Sequence, residues 1–269
     1  MKIRPHRSLL LLLALSTGAS AQQLDLSRYR MVDLTHSFNA QTIYWPTSTE
    51  TFQLKQISFG KSPGGWFYAA NNLSTPEHGG THLDAPIHFA AGKEFADQVP
   101  LDRLIAPAVV IDVTAAAAKN RDYRLTPADV QRFEQQNGRI PAGTIVLLRS
   151  GWSKRWPDKK SYLGDDKPGD ASHLHFPSYG VEAATMLVKE RRVAALGVDV
   201  ASIDYGPSAD FMVHRVAMEA NVPGFENLTN LDQLPAKGAL VIALPMKIEH
   251  GSGGPLRAVA LVPRTGPAR

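Results

Sequence analysis

Along this chain the hydrophobic pattern is mostly that of strands, with few stretches of helical period. Arg30 to Phe38, Thr51 to Phe59 and Trp66 to Ser74 partly alternate apolar and polar residues and favour β types, which predicts strands. Ala108 to Val113, Thr144 to Arg149, Val193 to Val198, Ala239 to Ile248 and Leu256 to Val262 are short apolar runs of the buried-strand type. Two helices stand out. Thr126 supplies an N-cap, Pro127 a first helical position, Asp129 an acid in the first turn and Gly138 a stop. The second runs from about Tyr179 to Arg192, with basic residues near its C-terminal end as the helix dipole favours. A weaker pattern predicts a third, shorter helix from Phe211 to Ala220. Trp156 to Pro177 is polar and rich in Asp, Lys, Gly and Pro, and reads as a long loop. No internal repeat interrupts the sequence. The pattern predicts a mixed α/β domain with more strand than helix.

The first residues belong to a different class. Lys2, Arg4 and Arg7 precede a short apolar run from Leu9 to Leu15, and Ala19-Ser20-Ala21 offers small residues for cleavage. That layout predicts a secretory signal peptide over residues 1–21, with an apolar core too short to span a bilayer. The expected domain is then 22–269, in the periplasm or secreted. Removing the leader changes the charge balance from 29 basic against 25 acidic residues to 26 against 25. The near-neutral remainder has no long Lys or Arg run, and nothing supports nucleic acid binding. There is no cysteine, so a metal site has to be built from histidine and carboxylates.

One segment has that composition. His78-Gly-Gly-Thr-His82-Leu-Asp84-Ala-Pro86-Ile-His88 holds three histidines and an aspartate in eleven residues. In an extended chain His82 and Asp84 point to one face. Gly79-Gly80 argues against a helix, and a tight glycine turn would bring His78 back beside His82. Pro86 stiffens the chain before His88. The other ligands must come from elsewhere, and periodicity leaves His36, His173, His175, His214 and His250 open.

The pattern His-x-Gly-Thr-His-x-Asp-x-Pro-x-His resembles the signature of the cyclase-like metal-dependent hydrolases, a family that includes bacterial kynurenine formamidase and isatin hydrolase. Val32-Asp33-Leu34-Thr35-His36 with Trp45-Pro46, Gly197 to Asp204, Phe225-Glu226-Asn227-Leu228 and Leu244-Pro245-Met246-Lys247 resemble the family's other elements in the same order. The resemblance implies a β-rich single domain of the swivelling β/β/α type. It implies His78, His82, Asp84, His214 and Glu226 as metal ligands, with Asp84 able to bridge two ions, and His88 as the proton-transfer residue. It also implies a homodimer or larger assembly with the pocket near the subunit interface. Imidazole and carboxylate ligands suit zinc, and manganese if water and oxygen fill the site, with one or two ions per subunit. The expected reaction is hydrolysis of a C–N bond in a small amide, either an aryl formamide or a cyclic amide such as isatin. A lactone or cyclic-imide hydrolase and an exported metal- or small-molecule-binding protein without catalysis are the alternatives.

Family members often read Trp-Pro-Gly-Asp where this chain has Trp45-Pro46-Thr47-Ser48, which bears on the substrate rather than the metal. Trp45 is the expected substrate-binding residue. Phe59, Trp66, Phe67 and the Gly151-Trp152 pair are further pocket candidates, with core as their other reading. Asp199 and Asp204 read equally as supports for ligands and as polar caps. Ser150 and Ser202 lack the glycines of a nucleophile elbow, which argues against a serine hydrolase. Glu249-His250-Gly251-Ser252-Gly253-Gly254 reads as a hairpin loop rather than a phosphate cradle, because no helix pattern follows.

Overall fold

The computed structural model describes residues 25–264. The expected signal peptide over 1–21 lies outside the described residues. In chain order the strands are β1 (Tyr29–Asp33), β2 (Gln53–Lys61), β3 (Phe67–Ser74), β4 (His82–Asp84), β5 (Ile105–Asp112) and β6 (Arg124–Leu125). They continue with β7 (Ile145–Arg149), β8 (Ser178–Tyr179), β9 (Ala195–Val198), β10 (Gly224–Glu226), β11 (Lys237–Pro245) and β12 (Gly253–Pro263). Eight of them form one sheet in the order β1-β12-β11-β5-β7-β9-β10-β4. Strand β12 is long enough to pair with β1 near its end and with β4 near its start. That second pairing closes β12, β11, β5, β7, β9, β10 and β4 into a barrel. The β5–β7, β7–β9 and β9–β10 pairs are parallel, and the rest of this sheet is antiparallel.

Alternation along the strands sorts side chains into two cores. Ala106, Ala108 and Val110 of β5, Ile145 and Leu147 of β7, Phe225 of β10 and Ala258 and Ala260 of β12 share the barrel interior. Alanines are frequent there because a barrel of only seven strands leaves little room inside. Val109 and Ile111 of β5, Val146 and Leu148 of β7 and Leu196 and Val198 of β9 face the other way, against the helices. The strand-rich α/β class expected from the pattern is the one observed. Among the described residues no helix is long and apolar enough to cross a membrane.

The helix Pro127–Asn137 forms where its signals place it. The Thr126 hydroxyl accepts from Asp129 N–H while the Asp129 carboxylate accepts from Thr126 N–H, and Gly138 ends the helix at φ +86°. The second helix begins later than expected. Tyr179 sits in β8, and the helix runs Val181–Thr185 and then widens to a π-helical turn over Met186–Glu190. The third spans Met212–Glu219.

Two expectations need correction. Within Trp156 to Pro177, read as a polar loop, Lys159–Leu163 is helical, and Tyr162, Leu163, Leu174 and Phe176 are fully buried in the helix-side core. Polar composition hid apolar residues spaced too irregularly to show a period. Strands β2 and β3 do form where alternation predicts them, but they pair only with each other. Phe59, Trp66 and Phe67 on this hairpin are 70%, 64% and 62% exposed, so they belong neither to a core nor to a pocket of this chain.

Candidate metal centre

The site grows out of two short neighbouring strands. Leu83 of β4 and Phe225 of β10 both point into the barrel. Period two therefore turns His82, Asp84 and Glu226 to the opposite face. The β4–β10 register sets Glu226 directly across from His82. Before β4, Gly79 and Gly80 take φ +149° and +58°. A side chain on Gly79 would strike the Tyr44 ring, and one on Gly80 the Phe38 ring. This turn folds His78 back so that its ring meets that of His82 edge-on at 5.5 Å between centroids. His214 arrives from the first turn or so of the helix Met212–Glu219, whose start Asp204 holds by accepting from Val213 N–H and His214 N–H.

These groups converge on Asp84. Its Oδ1 lies 2.6 Å from His78 Nδ1 and 3.1 Å from His82 Nε2. Its Oδ2 lies 3.1 Å from His214 Nε2. Glu226 Oε2 is 3.5 Å from His82 Nε2, and Oε1 is 3.3 Å from His214 Nε2. Two sets of potential ligand atoms result, His78–His82–Asp84 and Asp84–His214–Glu226, each with all atoms within 4.8 Å of one another. Asp84 belongs to both and gives one oxygen to each.

The outer ring nitrogens are all engaged. His82 Nδ1–H donates to the Gly80 carbonyl at 3.0 Å, which can only accept. His214 Nδ1–H donates to Asp204 at 2.7 Å. His78 Nε2 meets Ser252 Oγ at 2.8 Å. The inner nitrogens therefore face carboxylate oxygens in a buried space, and a cation has to lie between them. Without a metal, the imidazoles of His82 and His214 carry that charge as protons. Burial alone would depress the His82 imidazole, but Asp84 and Glu226 outweigh it and push it up to about 9. His214 is likewise driven well above its ordinary value against burial, chiefly by its hydrogen bonds to Asp204, Asp84 and Glu226. Burial disfavours the Asp84 carboxylate too, yet the imidazoles hold its carboxyl well below the usual range. Burial and the neighbouring Asp84 charge push Glu226 up. A donor set of three imidazoles and two carboxylates, arranged this way, fits a divalent ion of the first transition row or two of them.

A cavity of about 230 Å³ opens above the cluster. His78, His82, Asp84, His88, His214 and Glu226 form its floor, and Ile43, Tyr44, Trp45, Phe89, Ala201 and Phe211 its walls. His88 stacks on His78 at 3.8 Å and 18° between ring planes, and burial pushes its imidazole down to about 4. All five expected ligands, His88 and Trp45 are thus brought to one pocket. Trp152 is not. It is buried in the helix-side core, where its indole N–H donates to the Tyr162 carbonyl. Asp199 also stays away from the cluster and accepts from Ser150 N–H, Ser150 Oγ–H and Gly151 N–H. Asp204 serves in both of its expected roles at once, as helix cap and as partner of His214. His173 is 69% exposed at its side chain, and His175 pairs with Asp122, so neither competes with His214.

Sequence reasoning missed Phe89 and Phe211 as pocket walls. Phe211 adopts φ +51°, a region costly for a residue with a side chain, and its ring lies 6.2 Å from Trp45 and 5.2 Å from Phe89. Asn227 follows the ligand Glu226 directly in the chain. Its amide donates to the Gly80 carbonyl at 2.8 Å, and Tyr162 O–H donates to it at 2.9 Å. It thereby fixes the carbonyl that orients His82.

Comparison with known proteins adds a second line of observation. A family model described as "Putative cyclase" matches residues 32–205. An isatin hydrolase of Roseibium aggregatum is 37% identical over 225 residues, 81% of this chain and 83% of its own. A kynurenine formamidase of Salinibacter ruber is 27% identical over 231 residues, 85% of this chain and 96% of its own. Among solved structures, isatin hydrolase A from Ralstonia solanacearum shares the fold with a TM-score of 0.78 at 37% identity, over 87% of this chain and 92% of that one.

Proposed function

The chain belongs to the cyclase family of metal-dependent hydrolases, and from that premise we propose that it opens the C–N bond of a small cyclic aryl amide of the isatin type. The observation that carries the reading is Asp84, which divides its oxygens between two ligand sets on the floor of an aromatic-walled pocket. The higher identity to an isatin hydrolase than to a kynurenine formamidase supports the cyclic amide over the formamide. His78, His82, Asp84, His214 and Glu226 would hold two ions, zinc or manganese. When bound, a divalent ion there supplies Lewis acidity, polarising a carbonyl and making water a stronger acid.

The chain's own residues do the rest. Trp45, Phe89 and Phe211 take the aromatic ring of the substrate and exclude water from it. His88, in the pocket and stacked on His78, accepts a proton from the attacking water and delivers it to the departing nitrogen. The test is metal quantification on the purified protein beside a panel of isatin, an aryl formamide, a lactone and a cyclic imide. Turnover of isatin with metal present is expected. Turnover confined to lactone or imide would reassign the substrate, and metal without any turnover would reduce the protein to a binder.

Export and assembly complete the reading. The composition of residues 1–21 supports secretion, and cleavage after Ala21 would appear as a mature N-terminus at Gln22 in mass spectrometry. The assembly is a homodimer. The β2–β3 hairpin supports it, because a two-stranded ribbon with Leu54, Ile57, Phe59, Trp66 and Phe67 exposed is not stable alone in water. A second copy is the partner that every molecule meets. Sedimentation should give a dimer, and Phe59→Ser with Phe67→Ser should give a monomer.

A further inference from the structure

His78 is the one ligand candidate whose outer nitrogen reaches neither a backbone carbonyl nor a carboxylate directly. It reaches Ser252, from the glycine-rich turn between β11 and β12 that the reaction itself leaves without a role. Glu77 Oε2 lies 2.6 Å from Ser252 Oγ and 3.1 Å from Ser252 N. The backbone N–H can only donate, so the carboxylate is the acceptor, and the single hydroxyl proton is also committed to it. Ser252 Oγ is then left to accept from His78 Nε2–H at 2.8 Å. Nδ1, which faces Asp84 at 2.6 Å, is then the ring nitrogen left to turn its lone pair to a metal when one is bound.

The surrounding backbone is shaped for this contact. Ala85 N–H donates to the Ser252 carbonyl at 2.9 Å, which ties the turn to the end of β4. A side chain on Gly251 would come within 2.9 Å of Glu77 Oε1, and one on Gly253 within 2.6 Å of the His78 ring. The glycines flanking Ser252 let the chain approach both partners closely, a requirement of contact rather than of backbone conformation.

We propose that Glu77 and Ser252 are positioning residues that fix the tautomer and ring orientation of His78 for metal binding. The inference rests on the metal-site reading above and deepens it. Supports of this kind typically carry about 10–100-fold in metal affinity.

The experiment is calorimetric titration of the metal-free protein with Mn²⁺ and with Zn²⁺, together with its melting temperature. Ser252→Ala should weaken binding by about 10–100-fold, and Ser252→Thr, which keeps the hydroxyl, should restore it. Glu77→Ala should weaken binding as well, because the freed hydroxyl can then donate to His78 and move its proton to Nδ1. Glu77→Gln keeps an acceptor oxygen and should bind nearly as the wild type does. The metal-free melting temperature should stay unchanged in Glu77→Gln, which keeps an acceptor for the Ser252 N–H and hydroxyl. Wild-type affinity in both Ser252→Ala and Glu77→Ala would overturn the proposal. So would a lower melting temperature with unchanged affinity, which marks a merely structural contact. Should Ser252→Ala not fold, the Glu77→Ala and Glu77→Gln pair decides alone. A wild type that takes up neither ion would instead overturn the metal reading itself and this inference with it.

Discussion

The two halves of the cluster are built by different means. In the inner half, His214 and Glu226 are almost fully buried, with side chains 4% and 6% exposed. His214 is oriented by a carboxylate in direct contact, Asp204, which also caps its helix. In the outer half, His78 is 25% exposed and is oriented through a hydroxyl by Glu77. The inner half is locked by the core around it, while His78 in the outer half depends on the turn before β12 and stacks on His88. Rigidity and access are thus divided between two ligand sets that share Asp84.

The strongest way to break this division is at the shared residue. Asp84→Ala removes an oxygen from each set and should abolish metal content and turnover together; elemental analysis and the isatin assay read both. Next comes His88, on the accessible side. His88→Ala should keep the metal and lose about 10²–10⁴-fold in kcat, as for a general acid–base residue. An unchanged kcat would remove it from the mechanism.

The halves themselves can be set against each other. Asp204→Asn should cost metal affinity by about 10–100-fold and also lower the melting temperature, because two helix N–H groups lose a charged acceptor. Its outer counterpart at Ser252 should change affinity alone. Equal melting temperatures for the two variants would mean that the inner half is no more embedded than the outer.

A smaller effect is expected at the pocket wall. Trp45→Ala removes one aromatic face from the substrate ring, worth about 1 kcal/mol and so about fivefold in KM, with kcat largely kept. A separate effect is one of pH on the metal-free protein. His82 rises on folding from its ordinary 6.5 to about 9, against burial and by virtue of Asp84 and Glu226. A raised imidazole contributes stability that is fully present below pH 6.5 and is lost as pH climbs through about 9. His214 shifts in the same direction. The melting temperature of the metal-free protein should therefore fall across that window, and saturating metal should flatten the slope.

Much of this was legible along the chain. The helix at Pro127 announces itself because its cap, proline, acid and terminating glycine are all local. Five of the seven barrel strands, β5, β7, β9, β11 and β12, show as short apolar runs. His78, His82, Asp84 and His88 lie within eleven residues, and the glycine turn between the first two could be read from Gly79-Gly80. His214 and Glu226 were another matter. Periodicity left the late histidine open, and only the family resemblance singled it out. Asp204 stood undecided between cap and support, and the distinction vanished once its two oxygens were seen to do both.

Other features had no sequence signal at all. Alternation found β2 and β3, but it carries no information on whether a strand pair will be covered by its own chain. Phe59 and Phe67 therefore looked like core or pocket, and they lie exposed on a hairpin. Glu77 and Ser252 are 175 residues apart, and their contact exists because β12 pairs with both β4 and β11 and carries the turn to the edge of the site.

The sequence by itself determined the chemistry of the donors, the shared face of His82 and Asp84, and the strand-rich class, because these follow from residue type, period two and local turn preferences. Tertiary structure alone decided which late residues meet the motif, which oxygen of Asp84 serves which histidine, and which nitrogen of His78 is free. Those are matters of contact across barrel closure, and hydrogen-bond geometry at about 3 Å is not encoded in any spacing along the chain.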